Sequence, residues 1–287
     1  MKIMEKYICG IDENGFGPVL GPLVITGILT SEDIKIPDYI KDSKIFYKNK
    51  KDLKKIEEIA VISFYMVENR TPSSPYEIFK RFSYKKCAFE ENLCEKNIPL
   101  FFESENIKEI IKRYSDLLKE KDKIKRIEVK TVCPYFFNDF VKKKKSKFLL
   151  NLFNFCEIIK EMENYKNIKF FCGKIGGTIY YRNFLKYFLP DYEIYALKET
   201  DDFSEYKISK KNLSFELGFY KNVENISPVA SFSSIIGKYM REIIMKSIIK
   251  SLNMDEDISG YRDRKTKKFI EKINFSKFRK ECIIRIS

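Results

Sequence analysis

The stretch "ICGIDENGFGPVLGPLVITG" (Ile8–Gly27) joins two apolar segments through a turn rich in glycine and proline. The apolar segments, residues 6–11 and 20–29, are predicted to form neighbouring strands. An acidic pair, Asp12 and Glu13, stands where the first segment ends. Two adjacent carboxylates repel each other unless a cation lies between them. The pattern therefore indicates a divalent metal site at the end of a strand.

The composition is that of a globular protein with a sizeable core. The chain has 287 residues, of which 44% are hydrophobic. Apolar runs are too short for a membrane span, and the first residues do not resemble a signal peptide. The seven cysteines are scattered without a close metal-binding spacing. We expect a cytoplasmic monomer with reduced cysteines and no membrane segment.

The complete absence of histidine excludes several kinds of active site. Ser-His-Asp and Cys-His catalysis both need an imidazole base, and zinc sites commonly need an imidazole ligand. Acid–base and metal chemistry is left to carboxylates, lysines, tyrosines and cysteines. Oxygen ligands favour hard cations, so Mg²⁺ or Mn²⁺ is the expected cofactor.

The net charge is strongly positive. The chain has 55 Lys+Arg against 41 Asp+Glu, a formal charge of +14. Lysine runs include "VKKKKSK" (Val141–Lys147) and "DRKTKK" (Asp263–Lys268). Such charge is typical of a protein that binds a polyanion such as nucleic acid, but it also serves solubility. Composition alone leaves both interpretations open.

Periodicity predicts an alternation of strands and helices. We predict further strands and helices over the segments that follow, with the helical centre from about 70 to 165 as an insertion. The predicted strands are Ile59–Glu68, a short one within 126–134, 168–174 and 192–199, followed by a hairpin over Glu205–Phe219. The predicted helices are 74–96, 104–121, 146–165, 177–190 and 227–252.

These elements predict an α/β fold. Three antiparallel strands followed by parallel crossover strands form a mixed sheet flanked by helices. Residues 1–252 are expected to form one domain, and 253–287 a charged extension packed on it. An acidic pair at the end of the first strand lies where such sheets place their chemistry.

Three segments resemble the type 2 ribonucleases H (ribonuclease HII and its HIII relative). "GIDENGFGPVLGPLVITG" is similar to the opening strand and glycine turn of that family. "KDSKIF" (Lys41–Phe46) resembles its Asp-Ser-Lys segment, and "SPVASFSSIIGKYMREIIM" (Ser227–Met245) its late helix. The segments occur in family order. The resemblance implies a ribonuclease-H-like fold and two-metal phosphodiester hydrolysis supported by four acids.

The first two acids of the family correspond to Asp12 and Glu13. The third stands at the end of the strand before the crossover helix, where this chain has Cys172 or Gly173. Neither side chain is an oxygen ligand, and a thiolate suits Mg²⁺ poorly. Cys172 is expected in the core. The glycines that follow bring backbone close to a phosphate or simply form a strand–helix turn.

The fourth acid is expected just beyond the strand over 192–199. Asp201 or Asp202 is the best match, and Glu199 is near enough to substitute. We predict Asp12, Glu13, Asp201, Asp202 and Glu199 as catalytic candidates. Asp12, Glu13 and Asp201 are the predicted metal ligands.

The resemblance also implies nucleic-acid contacts. In the family a Gly-basic-Gly turn contacts the RNA 2′-hydroxyl through its backbone. This chain keeps Gly15 and Gly17 but has Phe16 between them, so the basic side chain is absent. Ser43, Lys44 and Lys238 are phosphate-contact candidates, with surface charge as the alternative for each.

Three functions remain open at this point. The first is a metal-dependent endonuclease that cleaves RNA in RNA–DNA hybrids or at ribonucleotides in duplex DNA. The second is a catalytically inactive relative that binds nucleic acid, because one ligand of the metal site is missing. The third is a scaffold for protein contacts, which no feature of the sequence supports.

Overall fold

A computed structural model of the chain describes residues 5–40, 52–83, 107–254, 256, 258–275 and 280–286. The strands are β1 (Tyr7–Asn14), β2 (Leu23–Ser31), β3 (Ile124–Val132), β4 (Ile168–Gly173), β5 (Glu193–Glu199), β6 (Phe203–Lys210) and β7 (Leu213–Tyr220). They form one mixed sheet in the order β3-β2-β1-β4-β7-β6-β5. Strands β1, β2 and β3 pair antiparallel, whereas β4 runs parallel to both β1 and β7. The predicted mixed sheet is confirmed.

Helices cover both faces of this sheet. They are α1 (Leu53–Glu68), α2 (Pro75–Phe82), α3 (Ile107–Arg113), α4 (Ser115–Leu118), α5 (Pro134–Lys144), α6 (Lys147–Met162), α7 (Arg182–Phe188), α8 (Pro228–Ser251) and α9 (Arg264–Lys272). Short 3₁₀ turns lie at Asp38–Ile40, Lys121–Lys123, Val223–Asn225 and Lys280–Cys282.

The prediction of a strand over Ile59–Glu68 is wrong. These residues form most of α1, a 16-residue helix. Positions 59–62 are buried without a break, so neither a two-residue nor a 3.6-residue period is visible there. The third antiparallel strand is instead β3, which lies within the range 70–165 and pairs with β2.

The expected crossover from β4 through a helix leads to β5, but β5 is not the neighbour of β4. Strand β5 lies at the far edge of the sheet, and β7 pairs with β4 in its place. The predicted hairpin, β6 and β7, supplies that neighbour. This strand order decides which loop reaches the acidic pair.

Two hydrophobic clusters lie on opposite faces of the sheet. One contains buried side chains of α1, α2 and α8, and the other those of α5, α6 and α7. Helix α8 packs very closely on β1, because a Cβ at Gly10 would come within 2.3 Å of the Ala230 nitrogen. The Ser233 hydroxyl donates to the Gly10 carbonyl oxygen at 2.8 Å. The start of α8 is thereby fixed next to the strand that carries Asp12 and Glu13.

The C-terminal segment packs on the glycine turn. Residues Leu20 and Ile284 form an isolated antiparallel bridge, and the Arg285 amide donates to the Val19 carbonyl at 2.8 Å. The described cysteines are free thiols, four buried and Cys282 half-buried. Among the residues that the structure describes, no helix has the length and apolar character to cross a membrane.

Candidate metal and nucleic-acid site

The acidic pair stands where the sheet opens. The parallel pairing of β1 with β4 ends at Ile11 and Cys172, while β1 continues beside β2 as far as Asn14. The strand therefore does not end at the pair. Both carboxylates nevertheless approach one point, because a Cβ at Gly173 would lie 2.9 Å from Asp12 Oδ1 and 3.5 Å from Glu13 Oε2.

Glu13 is held in an unfavourable environment for a charge. Its Oε2 atom is buried and has no hydrogen-bond partner. Burial first, and then the charge of Asp12, raise the pKa of Glu13 well above its ordinary value. A cation beside the pair would favour the ionised form of both carboxylates. The environment of Glu13 thus fits a bound cation.

A cleft extends from the pair across the ends of β4 and β7. The cleft is lined mainly by acidic residues, lysines and glycines. The residues around it are Asp12, Glu13, Gly173, Lys174, Gly176, Gly177, Asp201, Tyr220, Lys221, Asn222, Val223 and Glu224. Its two lysines, Lys174 and Lys221, add positive charge of the kind that binds phosphate groups.

The three acids proposed after β5 lie in different places. Asp201 lines the cleft, and its carbonyl oxygen accepts a 2.5 Å hydrogen bond from Lys174 Nζ. Asp202 points to solvent, with its side chain 80% exposed and 4.0 Å from Lys221 Nζ. Glu199 accepts a hydrogen bond from the Tyr206 hydroxyl and is not among the residues that line the cleft.

Glu224 is a lining acid that the sequence prediction missed. It lies in the 3₁₀ turn between β7 and α8. Since β7 is the neighbour of β4, the turn after β7 is closer along the sheet to Asp12 than the loop after β5. In the sequence, Glu224 is simply an acid between the hairpin and the late helix. It can be predicted as a site residue only when the position of β7 beside β4 is known.

Comparison with known proteins gives a consistent set of relatives. No family model matches the chain. Ribonuclease HII of Methanococcus aeolicus is 34% identical over 173 residues, which cover 56% of this chain and 58% of that protein. Ribonuclease HII of Aliarcobacter butzleri is 42% identical over 62 residues, 22% of this chain and 30% of the relative. That of Picrophilus torridus is 46% identical over 46 residues, 16% and 22% of the two chains.

The chain is therefore similar to type 2 ribonucleases H over part of its length. Its matches span less than two thirds of the length of these relatives. Two solved structures also resemble it. Ribonuclease HII of Archaeoglobus fulgidus, solved in complex with PCNA, has a TM-score of 0.48 at 16% identity, covering 97% of this chain and 93% of that one. Ribonuclease H2 of Pyrococcus horikoshii has a TM-score of 0.45 at 16% identity, covering 92% and 85%.

Gly173 is the residue that faces the acidic pair, because a Cβ there would lie 2.9 Å from Asp12 Oδ1. The Cys172 side chain is fully buried in the cluster formed with α5, α6 and α7. Burial raises the pKa of the Cys172 thiol well above its ordinary value, so the thiol is neutral at physiological pH. Cys172 is therefore a core residue. The position that faces the acidic pair, Gly173, has no side chain.

The glycine turn is supported from the C-terminal segment. Gly15 has a φ of +86°, which suits glycine, and Phe16 packs against the second hydrophobic cluster. Arg285, only 3% exposed, donates from Nη1 to the Gly15 carbonyl oxygen at 2.7 Å. Burial, and then the charge of Arg241, lower the pKa of Arg285 to about 9. A buried guanidinium thus lies behind a turn whose own side chain is apolar.

Tyr261 is exposed beside the same turn. A Cβ at Gly17 would meet its ring at 3.4 Å, and the side chain is 50% exposed. Lys238 lies on α8 with its Nζ 3.5 Å from Glu242 Oε1, and it is not among the residues that line the cleft. Ser43 and Lys44 lie outside the described residues.

The donor set fits a hard divalent cation at the acidic pair. Two carboxylates converge there, and one oxygen of Glu13 has no hydrogen-bond partner. Within the described ranges no group of three or more acidic, cysteine or histidine side chains is close enough to hold an ion together. Asp201 and Glu224 share the cleft with the pair without closing such a group.

Proposed function

We propose that this protein is a divalent-metal-dependent endonuclease that cleaves RNA in RNA–DNA hybrids or at ribonucleotides in duplex DNA. One observation carries the proposal. The carboxylates of Asp12 and Glu13 converge beside Gly173, and the buried Oε2 atom of Glu13 has no hydrogen-bond partner. The partial likeness to proteins named ribonuclease HII supports the same activity.

Asp12 and Glu13 would hold the ion, with Asp201 or Glu224 completing the set from the facing loops. When bound, Mg²⁺ or Mn²⁺ activates water and stabilises the leaving oxygen of the phosphodiester. Type 2 ribonucleases H usually use two such ions. The ligands that this chain offers are the carboxylates of Asp12 and Glu13 together with the cleft acids Asp201 and Glu224.

The rest of the cleft is suited to a nucleic-acid backbone. Lys174 and Lys221 line the same cleft as the acidic pair, and they would neutralise phosphates there. The hydrogen bond from Lys174 Nζ to the Asp201 carbonyl fixes one ammonium group at the rim. In this proposal the two lysines bind the phosphates, and the acidic pair holds the catalytic ion.

The glycine turn is the part of the site suited to read ribose. Its backbone is accessible at Gly17, which is exposed, and Arg285 holds it from behind at Gly15. Tyr261 offers an exposed ring next to Gly17 for packing against a sugar. A backbone that contacts the 2′-hydroxyl can distinguish RNA from DNA without a basic side chain.

The test is cleavage of a 5′-labelled RNA–DNA hybrid, and of a duplex with a single ribonucleotide, with Mg²⁺ and with Mn²⁺. The wild type should give product and Asp12→Asn should not. No Asp12-dependent product with either ion and either substrate would overturn the enzyme proposal.

Nucleic-acid binding without cleavage is the second candidate. It is favoured by Gly173, which leaves the place beside the acidic pair without a third carboxylate. In that case the hybrid would bind with an affinity that falls steeply with salt. Product would be absent even at high enzyme concentration.

A further inference from the structure

A row of exposed aromatic rings lies along α7. The side chains of Tyr180, Phe184 and Tyr187 are 64%, 37% and 60% exposed. Phe184 and Tyr187 are three residues apart, which places them on one side of α7, and Tyr180 stands two residues before the helix. Isolated exposed rings are common, but a row of them on one face typically marks a binding surface.

Two of these rings, Phe184 and Tyr187, contact neighbouring aromatic rings. The Phe148 ring contacts the Phe184 ring edge-on at 4.9 Å between centroids, and Tyr187 contacts Phe188 at 5.0 Å. Phe188 in turn packs on Phe153 of α6 at 5.7 Å. A ring held by such contacts loses little conformational entropy when a flat ligand stacks on it.

A lysine run borders the rings. Lys142, Lys144 and Lys145, at the end of α5, are exposed, and in the described part of the chain none has a carboxylate within 4.0 Å. Lys143 is different, because it pairs with Asp139 at 2.8 Å. The Lys144 ammonium donates to the Tyr187 hydroxyl at 2.9 Å. This hydrogen bond joins the lysine run to the row of rings.

The surface is continuous with the cleft. Gly176 lines the cleft, and a Cβ there would lie 3.5 Å from the Phe148 ring that supports Phe184. Gly177, also at the cleft, precedes Tyr180 by three residues. A strand that leaves the cleft at these glycines would meet Tyr180 first.

We propose that this aromatic–lysine face, formed by Tyr180, Phe184, Tyr187, Lys142, Lys144 and Lys145, binds single-stranded nucleic acid that extends from the cleft. Unpaired bases stack on the rings, and their phosphates contact the lysines. A duplex hides the faces of its bases, so it cannot use the rings in this way. The inference goes beyond the proposed function, since strand binding needs no cleavage.

The first test measures binding of a 5′-fluorescein 12-nucleotide DNA by fluorescence anisotropy in EDTA. Tyr187→Ala should raise the dissociation constant on the order of tenfold, the effect of losing one stacked base. Tyr195→Ala is the matched control, with a ring 53% exposed on β5. Ile194 packs in the cluster beside α7, so Tyr195 points to the opposite face of the sheet and its loss should change little.

The second test concerns the lysines. The double variant Lys142→Gln/Lys145→Gln should reduce the slope of log affinity against log salt by about 1.4. This value assumes that each lysine contacts one phosphate and contributes about 0.7 to the slope. Lys112→Gln/Lys119→Gln removes the same charge from the opposite face, where Ile110 and Leu117 are buried, and should leave the slope unchanged.

The proposal is overturned if Tyr187→Ala binds as well as wild type, or if both control variants lose as much affinity as their counterparts. It is also overturned if sedimentation shows a dimer that Tyr187→Ala dissociates while DNA affinity is unchanged. The DNA contains no ribonucleotide, so these outcomes are independent of whether the protein cleaves RNA.

Discussion

Two pairs of adjacent acids, one within β1 and one after β5, are in opposite situations in this protein. Asp12 and Glu13 are half-buried, and both carboxylates approach the backbone of Gly173. Asp201 and Asp202 are exposed in the loop after β5, and Asp202 lies near Lys221. The first pair has a buried oxygen without a hydrogen-bond partner, whereas both residues of the second pair are exposed.

The difference shows that adjacent acids in sequence do not by themselves define a metal site. Repulsion between solvated carboxylates costs little, because water screens it. At the end of β1, burial raises the pKa of Glu13, and the facing β4 residue has no side chain to compensate. Of the two pairs, only Asp12 and Glu13 would therefore be stabilised substantially by a bound cation, which offsets the repulsion between their carboxylates.

The largest expected effect separates the two pairs directly. Asp12→Asn should lower cleavage of a labelled hybrid by on the order of 10³-fold, because metal-held charge is worth several kcal/mol in the transition state. Asp202→Asn is the matched control and should stay within about twofold of wild type, as expected for a surface charge. Equal losses in both variants would show that the pairs are equivalent.

The second prediction restores the absent acid. Gly173→Asp should raise kcat with Mg²⁺ by roughly 30-fold, about 2 kcal/mol of added transition-state stabilisation. The new Cβ would approach Asp12 Oδ1 at 2.9 Å, a flexible side-chain atom that can move aside. Gly173→Asn has the same shape without the charge and should not gain. A gain in both variants would point to rigidity of the backbone instead.

The third prediction concerns stability with and without metal. Saturating Mg²⁺ or Mn²⁺ should raise the Tm of the wild type by a few degrees, corresponding to about 2.7 kcal/mol at 100 times the dissociation constant. The raised pKa of Glu13 means that the metal-free protein must either bury a charge beside Asp12 or take up a proton when it folds. Glu13→Gln avoids both costs, so it should raise the metal-free Tm and lose most of the metal-induced shift. Differential scanning calorimetry in EDTA and in added metal measures both. An unchanged wild-type Tm in saturating metal would contradict a site at this pair.

The smallest expected effects rank the cleft acids. Glu224→Gln should lower kcat/KM about fivefold to tenfold, and Asp201→Asn less, because the turn after β7 adjoins β4 while the loop after β5 does not. Glu199→Gln should have no effect on cleavage beyond any change in stability, since Glu199 is bonded to Tyr206 away from the cleft. The reverse order, with Asp201 the more important, would favour the loop after β5 as the source of the ligand.

Local pattern predicted much of the fold and part of the site. The apolar segments around the glycine turn, the hairpin and the long helix after Ser227 are all found as predicted, since each has clear periodicity or turn residues. Ile59–Glu68 failed because a helix buried on most sides has no polar face to reveal its period. Glu224 and Tyr261 were missed because their neighbours at the site come from distant parts of the chain.

The sequence by itself determined the acidic pair, the glycine turn after it, the exclusion of histidine chemistry and the absence of a carboxylate at positions 172 and 173. These are properties of residue type and short spacing. Only the tertiary structure decided that β7 rather than β5 lies beside β4, that Arg285 supports the turn, and that the rings of α7 adjoin a lysine run. The physical reason is that strand order and packing follow from the burial of apolar faces across the whole chain, which no local period encodes.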